Sequence, residues 1–364
     1  PRMAWEVACS LWARRRAEMA LSERQVCLQE PAAWNAYVAR HSAGNLLQTS
    51  QWGTLKSEFG WDWDLVVVGD PEMPKAGAMV LYRSLPLKLG TIAYVPRGPL
   101  VDWADTALVR DLLDRVHRVA RRRRAWACWL EPEALDGTQA AATLAALGYG
   151  PSSRTIQPRS TILVNLVPDE DDILKAMKSK TRYNIRLAAR KGVTVRMGTV
   201  DDIDVFHALM TETGDRDEFG VHTAAYYRRS FELFDAQGQV GLFLAEYEGE
   251  PLAGILAFVV GKKAWYISGA SSNRYRNLMP AYSVQWAAMQ WAKSLGCAVY
   301  DLWGVPDADE TTLEAEFAER GDGLWGVYRF KRGFGGQVVR YVGLWERALT
   351  PLYPLAARFY GRAG

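Results

Sequence analysis

Cations, aromatic rings and glycines alternate in residues 328–336, the stretch where the sequence points most directly to chemistry. Lys331 lies between Phe330 and Arg332, and three glycines follow within four residues: Gly333, Gly335 and Gly336. Aromatic faces stack on bases, cations hold phosphates, and glycines let a ligand approach the backbone. The segment therefore predicts either a site for an anionic ligand or a basic strand that ends in a solvated glycine turn.

A helix predicted over residues 169–192 carries a second concentration of positive charge. Acidic residues fill its first turn at 169–172, which suits the helix dipole, and Gly192 marks its C-terminal end. At about 100° per residue, one arc of this helix collects five cations: Lys175, Lys178, Arg182, Arg186 and Arg190. A solvated face normally includes acids as well, so the stripe favours a phosphate-rich partner such as RNA.

The composition indicates a packed protein without a metal site. The chain has 364 residues, of which 49% are apolar and 23% charged, enough for two domains. Its net charge of +3 means that a polyanion must be held by a local patch. The four cysteines are scattered, and Cys128 and Cys297 are predicted to be buried thiols. No apolar run reaches the roughly 18 residues that cross a bilayer, and the basic, helix-prone residues 1–24 do not resemble a signal peptide. We therefore expect a cytoplasmic protein. We also expect that it needs no cofactor.

Two runs of elements follow one another in the same order. The first predicts helices at 31–41 and from residue 50, strands at 65–68, 77–85 and 91–96, a helix through 108–119 and a strand at 125–130. The second predicts helices at 201–213 and 223–235, strands at 240–247, 251–260 and 264–270, a helix at 280–295 and a strand at 298–303.

This repeated order matches the acyltransferase core of the GNAT type. It predicts an α+β fold of two tandem GNAT-like domains, each a mixed, mainly antiparallel sheet with flanking helices. We place the first domain at residues 1–165, completed by 341–364, and the second at 166–340. The loops at 97–102 and 274–280, where such domains hold acetyl-CoA, contain prolines in place of free amides. An acyl-CoA-dependent N-acetyltransferase is therefore disfavoured but stays open as an alternative.

Five segments, in order along the chain, resemble one known family. They are LLQTSQW at 46–52, YVPRGP at 94–99, KSKTRYN at 178–184, YDLWG at 300–304 and FKRGFGG at 330–336. Together they resemble the FemABX family, aminoacyl-tRNA-dependent transferases that build the cross-bridge of peptidoglycan. The resemblance implies transfer of an amino acid from tRNA to the stem-peptide amine of a nucleotide-linked or lipid-linked muropeptide. No coiled-coil insertion is visible in the sequence, so the chain is similar to the compact, FemX-like members.

The resemblance also implies roles for individual residues. Phe330 and Lys331 match the pair that meets the acceptor end of the tRNA. From their charge, we expect Arg332 and four cations of the stripe to contact the tRNA as well: Lys175, Lys178, Arg182 and Arg186. Lys56 matches a lysine that contacts the precursor's diphosphate. Further muropeptide contacts are implied for three residues: Arg97, Arg216 and Tyr282. Glu131 lies where compact members place an aspartate proposed as catalytic, and its longer side chain moves the carboxylate.

An aminoacyl ester is already activated, so transfer requires no covalent nucleophile. The acceptor amine must lose a proton, and the tetrahedral oxyanion must be stabilised. Lys331, which we expect to be solvated, is the candidate for the oxyanion or for a tRNA phosphate, and Glu131 is the candidate base. A terminal ribose hydroxyl of the tRNA is the alternative proton relay, and Asp301 is expected to fix local structure.

Partners and compartment follow from the same comparison. We expect a monomer whose donor is charged tRNA and which has no DNA partner. Residues 344–362 either contact a membrane at its inner, cytoplasmic face or pack onto the first domain. A tRNA-dependent enzyme of natural-product assembly would carry the same motifs and stays open as a second alternative.

Overall fold

The computed structural model of the chain describes residues 31–353, and its first half follows the predicted order. The helix-prone segment expected at 1–24 and the residues after 353 lie outside the described part. The elements are α1 (Pro31–Arg40), α2 (Ser50–Glu58), β1 (Trp61–Asp70), β2 (Met73–Ser84), β3 (Thr91–Pro96), α3 (Thr106–Arg122), β4 (Ala125–Glu131), α4 (Gln139–Ala146) and β5 (Gly150–Pro151).

The second half repeats that order and then returns to the first. Its elements are β6 (Ser160–Asn165), α5 (Glu170–Ala176), α6 (Ser179–Arg190), β7 (Thr194–Gly198), α7 (Ile203–Asp217), α8 (Ala224–Asp235), β8 (Val240–Tyr247), β9 (Glu250–Val260), β10 (Lys263–Ser271), α9 (Pro280–Ser294), β11 (Val299–Val305), α10 (Glu310–Glu316), α11 (Trp325–Lys331), β12 (Gln337–Arg340) and β13 (Trp345–Ala348). Most predicted bounds differ from these by only a few residues.

The strands form two mixed sheets of the same design. The first has the order β1-β2-β3-β4-β13-β5 and the second β12-β6-β11-β10-β9-β8-β7. In each, three consecutive antiparallel strands (β1 to β3, and β8 to β10) are followed by a helix, α3 or α9, and by a strand parallel to the third, β4 or β11. The predicted α+β fold with two tandem GNAT-like sheets is therefore confirmed.

Strand pairing also bears on where the two halves divide. β13 lies between β4 and β5, with Trp345 opposite both Leu130 and Pro151, so the C-terminal strand belongs to the first sheet. β6 pairs instead with β11 and β12 of the second sheet. We propose on this ground that the boundary precedes Ser160, earlier than residue 165, and that the strand at the end of the chain completes the first half.

A shared apolar core joins the two halves. One cluster of buried side chains contains Trp34, Leu47 and Leu55 from the first half together with Phe206 and Phe258 from the second. The turn between β9 and β10 presses against α1, and a side chain at its glycine, residue 261, would overlap a carbonyl of that helix. Because these buried side chains from both halves pack together, the two sheets are held in a fixed relative position. A site between the sheets needs such a fixed position.

The single basic helix predicted over 169–192 is wrong. The chain breaks between α5 and α6, where Met177 and Lys178 adopt extended backbone conformations. The N–H of Lys178 donates to the carbonyl of Gly333 at 2.9 Å, and the guanidinium of Arg182 donates to the carbonyl of Met177. A contact with a segment far along the chain thus interrupts the helix, so the cations do not form one continuous stripe.

The alternative of a basic strand at 328–336 is also wrong. α11 ends at Lys331, a short 3-10 helix spans Arg332–Phe334, and Gly336 follows with φ of 90°. A Cβ at Gly333 would overlap a threonine hydroxyl on α6, and one at Gly336 would overlap a carbonyl of β6. These two glycines therefore allow the segment to pack closely against α6 and β6.

Candidate active site

Strands β10 and β11 stop pairing partway along their length. They are parallel neighbours for only three residue pairs, from Lys263 opposite Val299 to Trp265 opposite Asp301. β10 then shifts register against β9, β11 shifts register against β6, and Trp303 adopts a left-handed φ of 59°. Beyond this point residues 266–271 of β10 and 302–305 of β11 do not pair with each other, and we call this separation of the two strands the opening.

Lys331 lies in this opening and touches both strands. Its Nζ donates to the carbonyl of Gly304 on β11 at 2.8 Å and lies 5.4 Å from the ring centre of Tyr266 on β10. The side chain is buried, with 5% exposed, so the expectation of a solvated lysine is wrong. Burial lowers the pKa of Lys331 to about 7, although the Asp301 carboxylate acts in the opposite direction. An amine whose pKa is close to neutral pH therefore lies in the opening between the two strands.

Three aromatic rings cluster around Phe330, the residue that precedes Lys331 in α11. Tyr282, in the first turn of α9, has its ring centre 5.1 Å from that of Phe330 and 5.8 Å from that of Phe334. Phe334 is fully buried, whereas Tyr282 and Phe330 are half-buried. Tyr282, expected to contact the muropeptide, and Phe330, expected to contact tRNA, are thus brought into contact with each other.

Glu314 on α10 gathers two of the predicted tRNA cations. Its carboxylate accepts from the guanidinium of Arg332 and lies 3.8 Å from Nζ of Lys178, and it also accepts from Tyr328 at 2.8 Å. The hydrogen bond from Arg332 lowers the pKa of Glu314 to about 2. Of the remaining predicted cations, Lys175 is exposed and pairs with a carboxylate of its own helix, Arg182 bonds backbone carbonyls, and Arg186 is exposed.

A buried polar chain crosses between the halves close to Lys331. Asp301 accepts from Thr161 and from the N–H of Trp303, and its other oxygen lies 3.7 Å from Nζ of Lys263. Lys263 also bonds Glu133, which follows β4 in the first half. Burial lowers the pKa of Lys263, but the two carboxylates outweigh that effect and the pKa is raised. Asp301 is thus embedded in local structure, and its charge is shared between two lysines.

The first sheet has no equivalent opening among the described residues. β3 and β4 stay paired to their ends, from Thr91 opposite Ala125 to Pro96 opposite Glu131. Glu131 is buried; one of its oxygens accepts from the hydroxyl of Tyr94 and the other from the N–H of Gln157 at 3.0 Å. Burial raises the pKa of Glu131. With both oxygens engaged, its geometry favours holding the chain at residue 157 over exchanging protons with a substrate.

Arg97 is buried between the halves. Its guanidinium donates to the carbonyl of Pro158 at 2.7 Å and lies 5.2 Å from the ring centre of Trp303 and 4.7 Å from that of Tyr341. Only 2% of the residue is exposed. A bound acceptor would therefore contact the rings of Trp303 and Tyr341 and not the guanidinium of Arg97.

Arg216 lies at the rim of the opening. It donates to the carbonyl of Ser271, the last residue of β10, at 2.8 Å and to Asn273 at 3.1 Å, and it pairs with Asp217 at 2.9 Å. Its donors are thus already partly engaged.

Lys56 is held by aromatic rings at the junction of α2 and α8. Its Nζ lies 5.4 Å from the ring centre of Trp52 and 5.3 Å from that of Tyr226, so the predicted shared face of Trp52 and Lys56 is confirmed. The His222 ring stacks on Tyr226 with centroids 3.9 Å apart. Burial, with a smaller contribution from Arg83, lowers the pKa of Lys56. One cation beside several rings suits an anionic group attached to a flat or apolar body.

Sequence reasoning missed Tyr266, Lys263 and Glu133. Lys263 comes one residue before a predicted strand, and Glu133 follows Glu131 by two residues. These local positions do not indicate that the two residues bond each other, because 130 positions separate them. Within residues 31–353, no group of three or more His, Cys, Asp or Glu side chains is placed to hold a metal ion. No helix in that range is long and apolar enough to cross a membrane.

The fold matches solved structures of one class of protein. The solved structure of FemX aligns with a TM-score of 0.81 and 24% identity, covering 90% of this chain and 98% of that one. A tandem GNAT protein from the clavulanic acid biosynthesis pathway aligns with a TM-score of 0.50 and 13% identity, covering 85% and 97%. The fold is therefore that of tandem GNAT-like acyltransferases.

The sequence matches one family over most of its length. The model of the FemAB family matches residues 30–249 and 239–360. The lipid II:glycine glycyltransferase of Staphylococcus saprophyticus subsp. saprophyticus is 26% identical, covering 89% of this chain and 93% of that protein. The Staphylococcus aureus protein of the same description is 25% identical, covering 88% and 92%. The chain belongs to the FemAB family and is an aminoacyltransferase.

The burial of Lys331 predicts a pH-dependent cost in stability. Its pKa is about 7 in the fold and 10.5 in the reference state, so the unfolded chain binds more protons between these values and stability rises with pH there. Lys331→Met removes the titration. The gain in the free energy of unfolding of Lys331→Met over wild type should therefore be largest below pH 7, and this gain should shrink toward pH 10. Chemical denaturation at several pH values measures this difference.

The control is Lys262→Met, at a lysine on an exposed turn. Its difference from wild type should not change with pH. A difference for Lys331→Met that stays constant from pH 6 to pH 10 would contradict the burial of a titrating amine.

Proposed function

We propose that the protein transfers an amino acid from aminoacyl-tRNA to the stem-peptide amine of a peptidoglycan precursor. The observation that carries this proposal is Lys331, a buried amine in the opening between β10 and β11 with half-buried aromatic rings beside it. Membership of the FemAB family and relatives described as lipid II:glycine glycyltransferases support the same chemistry.

The donor side is the surface formed by α9, α11 and the start of α6. The half-buried rings of Tyr282 and Phe330 offer faces for the terminal bases of a tRNA, each base contributing about 1–3 kcal/mol by stacking. Lys178 and Arg332 lie on the same surface around Glu314 and would meet phosphates. The aminoacyl ester then enters the opening and reaches Nζ of Lys331.

The chemistry needs one net proton transfer. The acceptor nitrogen attacks the ester carbon, a tetrahedral oxyanion forms, and the carbon–oxygen bond breaks to release the ribose hydroxyl. The nitrogen loses a proton and the hydroxyl gains one. Because its pKa is about 7, Lys331 populates both forms near neutral pH. The charged form stabilises the oxyanion, and the neutral form accepts the proton that the leaving hydroxyl then takes.

The acceptor side runs from Lys56 toward the same opening. Lys56 lies on α2 against Tyr226 of α8, so its site combines both halves. A cation held by rings suits the diphosphate that links a muropeptide to its nucleotide or lipid carrier. We propose the lipid-linked precursor as acceptor because the relatives' descriptions name lipid II.

Two other functions remain as candidates. An acyl-CoA-dependent N-acetyltransferase is weakened because Pro280 opens α9 and lacks the N–H that would face a pyrophosphate. Stabilisation of the protein by acetyl-CoA in a thermal-shift assay would favour that function. An aminoacyltransferase of natural-product assembly uses the same donor, and only the choice of acceptor separates it from the proposed function.

Transfer should require charged tRNA. We expect a mixture of aminoacylated tRNAs with a lipid-linked or nucleotide-linked muropeptide to yield a product heavier by one amino-acid residue, measured by mass spectrometry. Ribonuclease treatment of the donor should abolish that product, and uncharged tRNA with free amino acids is the control. Product that survives ribonuclease, or acetylated product from acetyl-CoA, would reject the proposed donor.

Lys331→Ala should lower kcat by roughly a hundredfold, the scale of losing one oxyanion donor. Lys331→Arg should recover only part of the rate, because the planar guanidinium presents its donors in another geometry. Lys262→Ala, at an exposed lysine, is the matched control and should keep the wild-type rate. Wild-type turnover by Lys331→Ala with saturating donor would remove this lysine from the mechanism.

Lys56→Ala should weaken acceptor binding more than turnover. A hydrogen bond to a charged group contributes about 1.5–3 kcal/mol, so KM for the acceptor should rise about tenfold or more while kcat changes less. Steady-state kinetics with varied acceptor measure both constants, and Lys75→Ala on an exposed part of β2 serves as control. An unchanged acceptor KM would place the diphosphate elsewhere.

A further inference from the structure

The turn between β2 and β3 holds two leucines out in solvent. Leu87 is 90% exposed and Leu89 is 54% exposed. Leu87 and Lys88 both adopt left-handed backbone conformations, each with φ of 55°, which are unfavourable for residues other than glycine. We call residues 85–89 the β2–β3 tip. Nothing in the described part of the chain covers its leucines, so a strained backbone presents apolar side chains to the outside.

Cations surround this tip. Arg83, Lys88 and Arg124 are all exposed, and the backbone of Arg124 accepts from the N–H of Thr91 at 3.1 Å, directly beside the tip's base. The segments 83–91, 121–127 and 349–353 contain no acidic residue. Asp64 of β1, near the same end of α3, is buried and paired with Arg123 at 2.6 Å. Asp62 of β1 is exposed, lies opposite Tyr82 of β2 and acts on Arg123, so one acid offsets part of this positive charge. The surface around the leucines is therefore basic.

The end of the described chain adds apolar surface to the same face. The N–H groups of Leu349 and Thr350 donate to the carbonyl of Trp126 at 2.9 and 3.2 Å, and a side chain at Gly90 would overlap the Trp126 indole. Leu352, three residues after Leu349, is 52% exposed. Residues 83–91, 121–127 and 349–353 thus form one face, which combines exposed leucines, a half-buried tryptophan and cations.

We propose that this face docks on an anionic lipid bilayer, with Leu87 and Leu89 entering the headgroup region and the surrounding cations meeting anionic headgroups. Moving a leucine side chain out of water lowers the free energy, and each Lys or Arg near an anionic surface adds to the electrostatic attraction between protein and bilayer. The inference rests on the proposed function, because it gives the lipid-linked acceptor the surface on which the enzyme meets it.

The position of Arg83 connects this face to the acceptor site. Its guanidinium lies 5.4 Å from the Trp61 ring centre and donates to the carbonyl of Gly60 at 3.4 Å, and its charge contributes to the lowered pKa of Lys56. At about 3.3 Å per residue, the tip lies within roughly 13 Å of Arg83 along the chain. The diphosphate of a lipid-linked precursor lies at the bilayer surface, and docking by the tip would hold Arg83, whose charge acts on Lys56, close to that surface.

A bilayer fits this face better than a protein partner. The exposed apolar groups of this face, which are Leu87, Leu89 and Leu352 with a half-buried tryptophan, fall far short of the roughly 800 Å² per partner that a standard protein interface buries. Cations spread around a small apolar tip suit a surface that is anionic everywhere, whatever the orientation of individual lipids.

Vesicle co-sedimentation tests the proposal without donor or acceptor. Wild-type protein should bind phosphatidylcholine vesicles that contain phosphatidylglycerol, and Leu87→Asp/Leu89→Asp should weaken that binding at least about tenfold. Leu295→Asp, at a leucine 48% exposed on the second half, is the matched control and should bind like wild type. Lys88→Glu/Arg124→Glu should lower binding to the anionic vesicles by about fivefold or more per cation and leave the weak binding to pure phosphatidylcholine unchanged.

Turnover on two acceptors completes the test. The leucine variant should keep its rate on a water-soluble, nucleotide-linked precursor, which also shows that it is folded, and should lose rate on the precursor in vesicles. Three results overturn the proposal: no binding of wild type to anionic vesicles, equal binding by the leucine variant, or a change in self-association in place of vesicle binding. Failure of amino-acid transfer with tip-dependent vesicle binding intact would reject the proposed function and leave the docking face standing.

Discussion

The site depends on the separation of β10 and β11. Where two parallel strands stop pairing, their backbone groups lose their partners in the sheet, and buried N–H and C=O groups need others. Lys331 supplies one, because its Nζ donates to the carbonyl of Gly304. The same separation provides the space for a reacting group. In the first sheet β3 and β4 remain paired to Glu131, so of the two similar scaffolds only the second has an opening among the described residues.

Burying the charged form of Lys331 in this opening is unfavourable, and the neighbouring groups determine its protonation state. Asp301 is the carboxylate that acts on Lys331, but its oxygens already accept from Thr161 and the Trp303 N–H and face Lys263. Its charge is therefore shared, and burial outweighs its attraction for Lys331. Lys263 stays charged because Glu133 of the first half also pairs with it. The protonation of Lys331 thus depends on how the two halves are packed together.

The sequence predicted what local patterns determine. Periodicity located the strand Val240–Tyr247 and the helix Pro280–Ser294 within a residue, and i, i+4 spacing placed Lys56 beside Trp52. It did not predict the burial of Lys331, which requires β11 to leave β10 and α11 to pack against it. It also missed the break after α5, because the interrupting contact comes from Gly333, more than 150 residues away. Charge periodicity records a helix face and carries no information on a partner so distant.

The loss of the continuous stripe changes how a tRNA donor would be held under the proposed function. Lys175 pairs with Asp172, Lys178 and Arg332 share Glu314, and Arg182 bonds the backbone. Among the predicted cations this leaves Arg186, which is exposed, and Lys178 and Arg332, which share one carboxylate, to meet phosphates, and few phosphate contacts mean a small electrostatic contribution to affinity. Stacking on the half-buried rings of Tyr282 and Phe330 must then contribute a large share of donor affinity. Because Phe330 precedes Lys331 in α11, the rings that would bind the end of the donor would also bring its ester close to the amine.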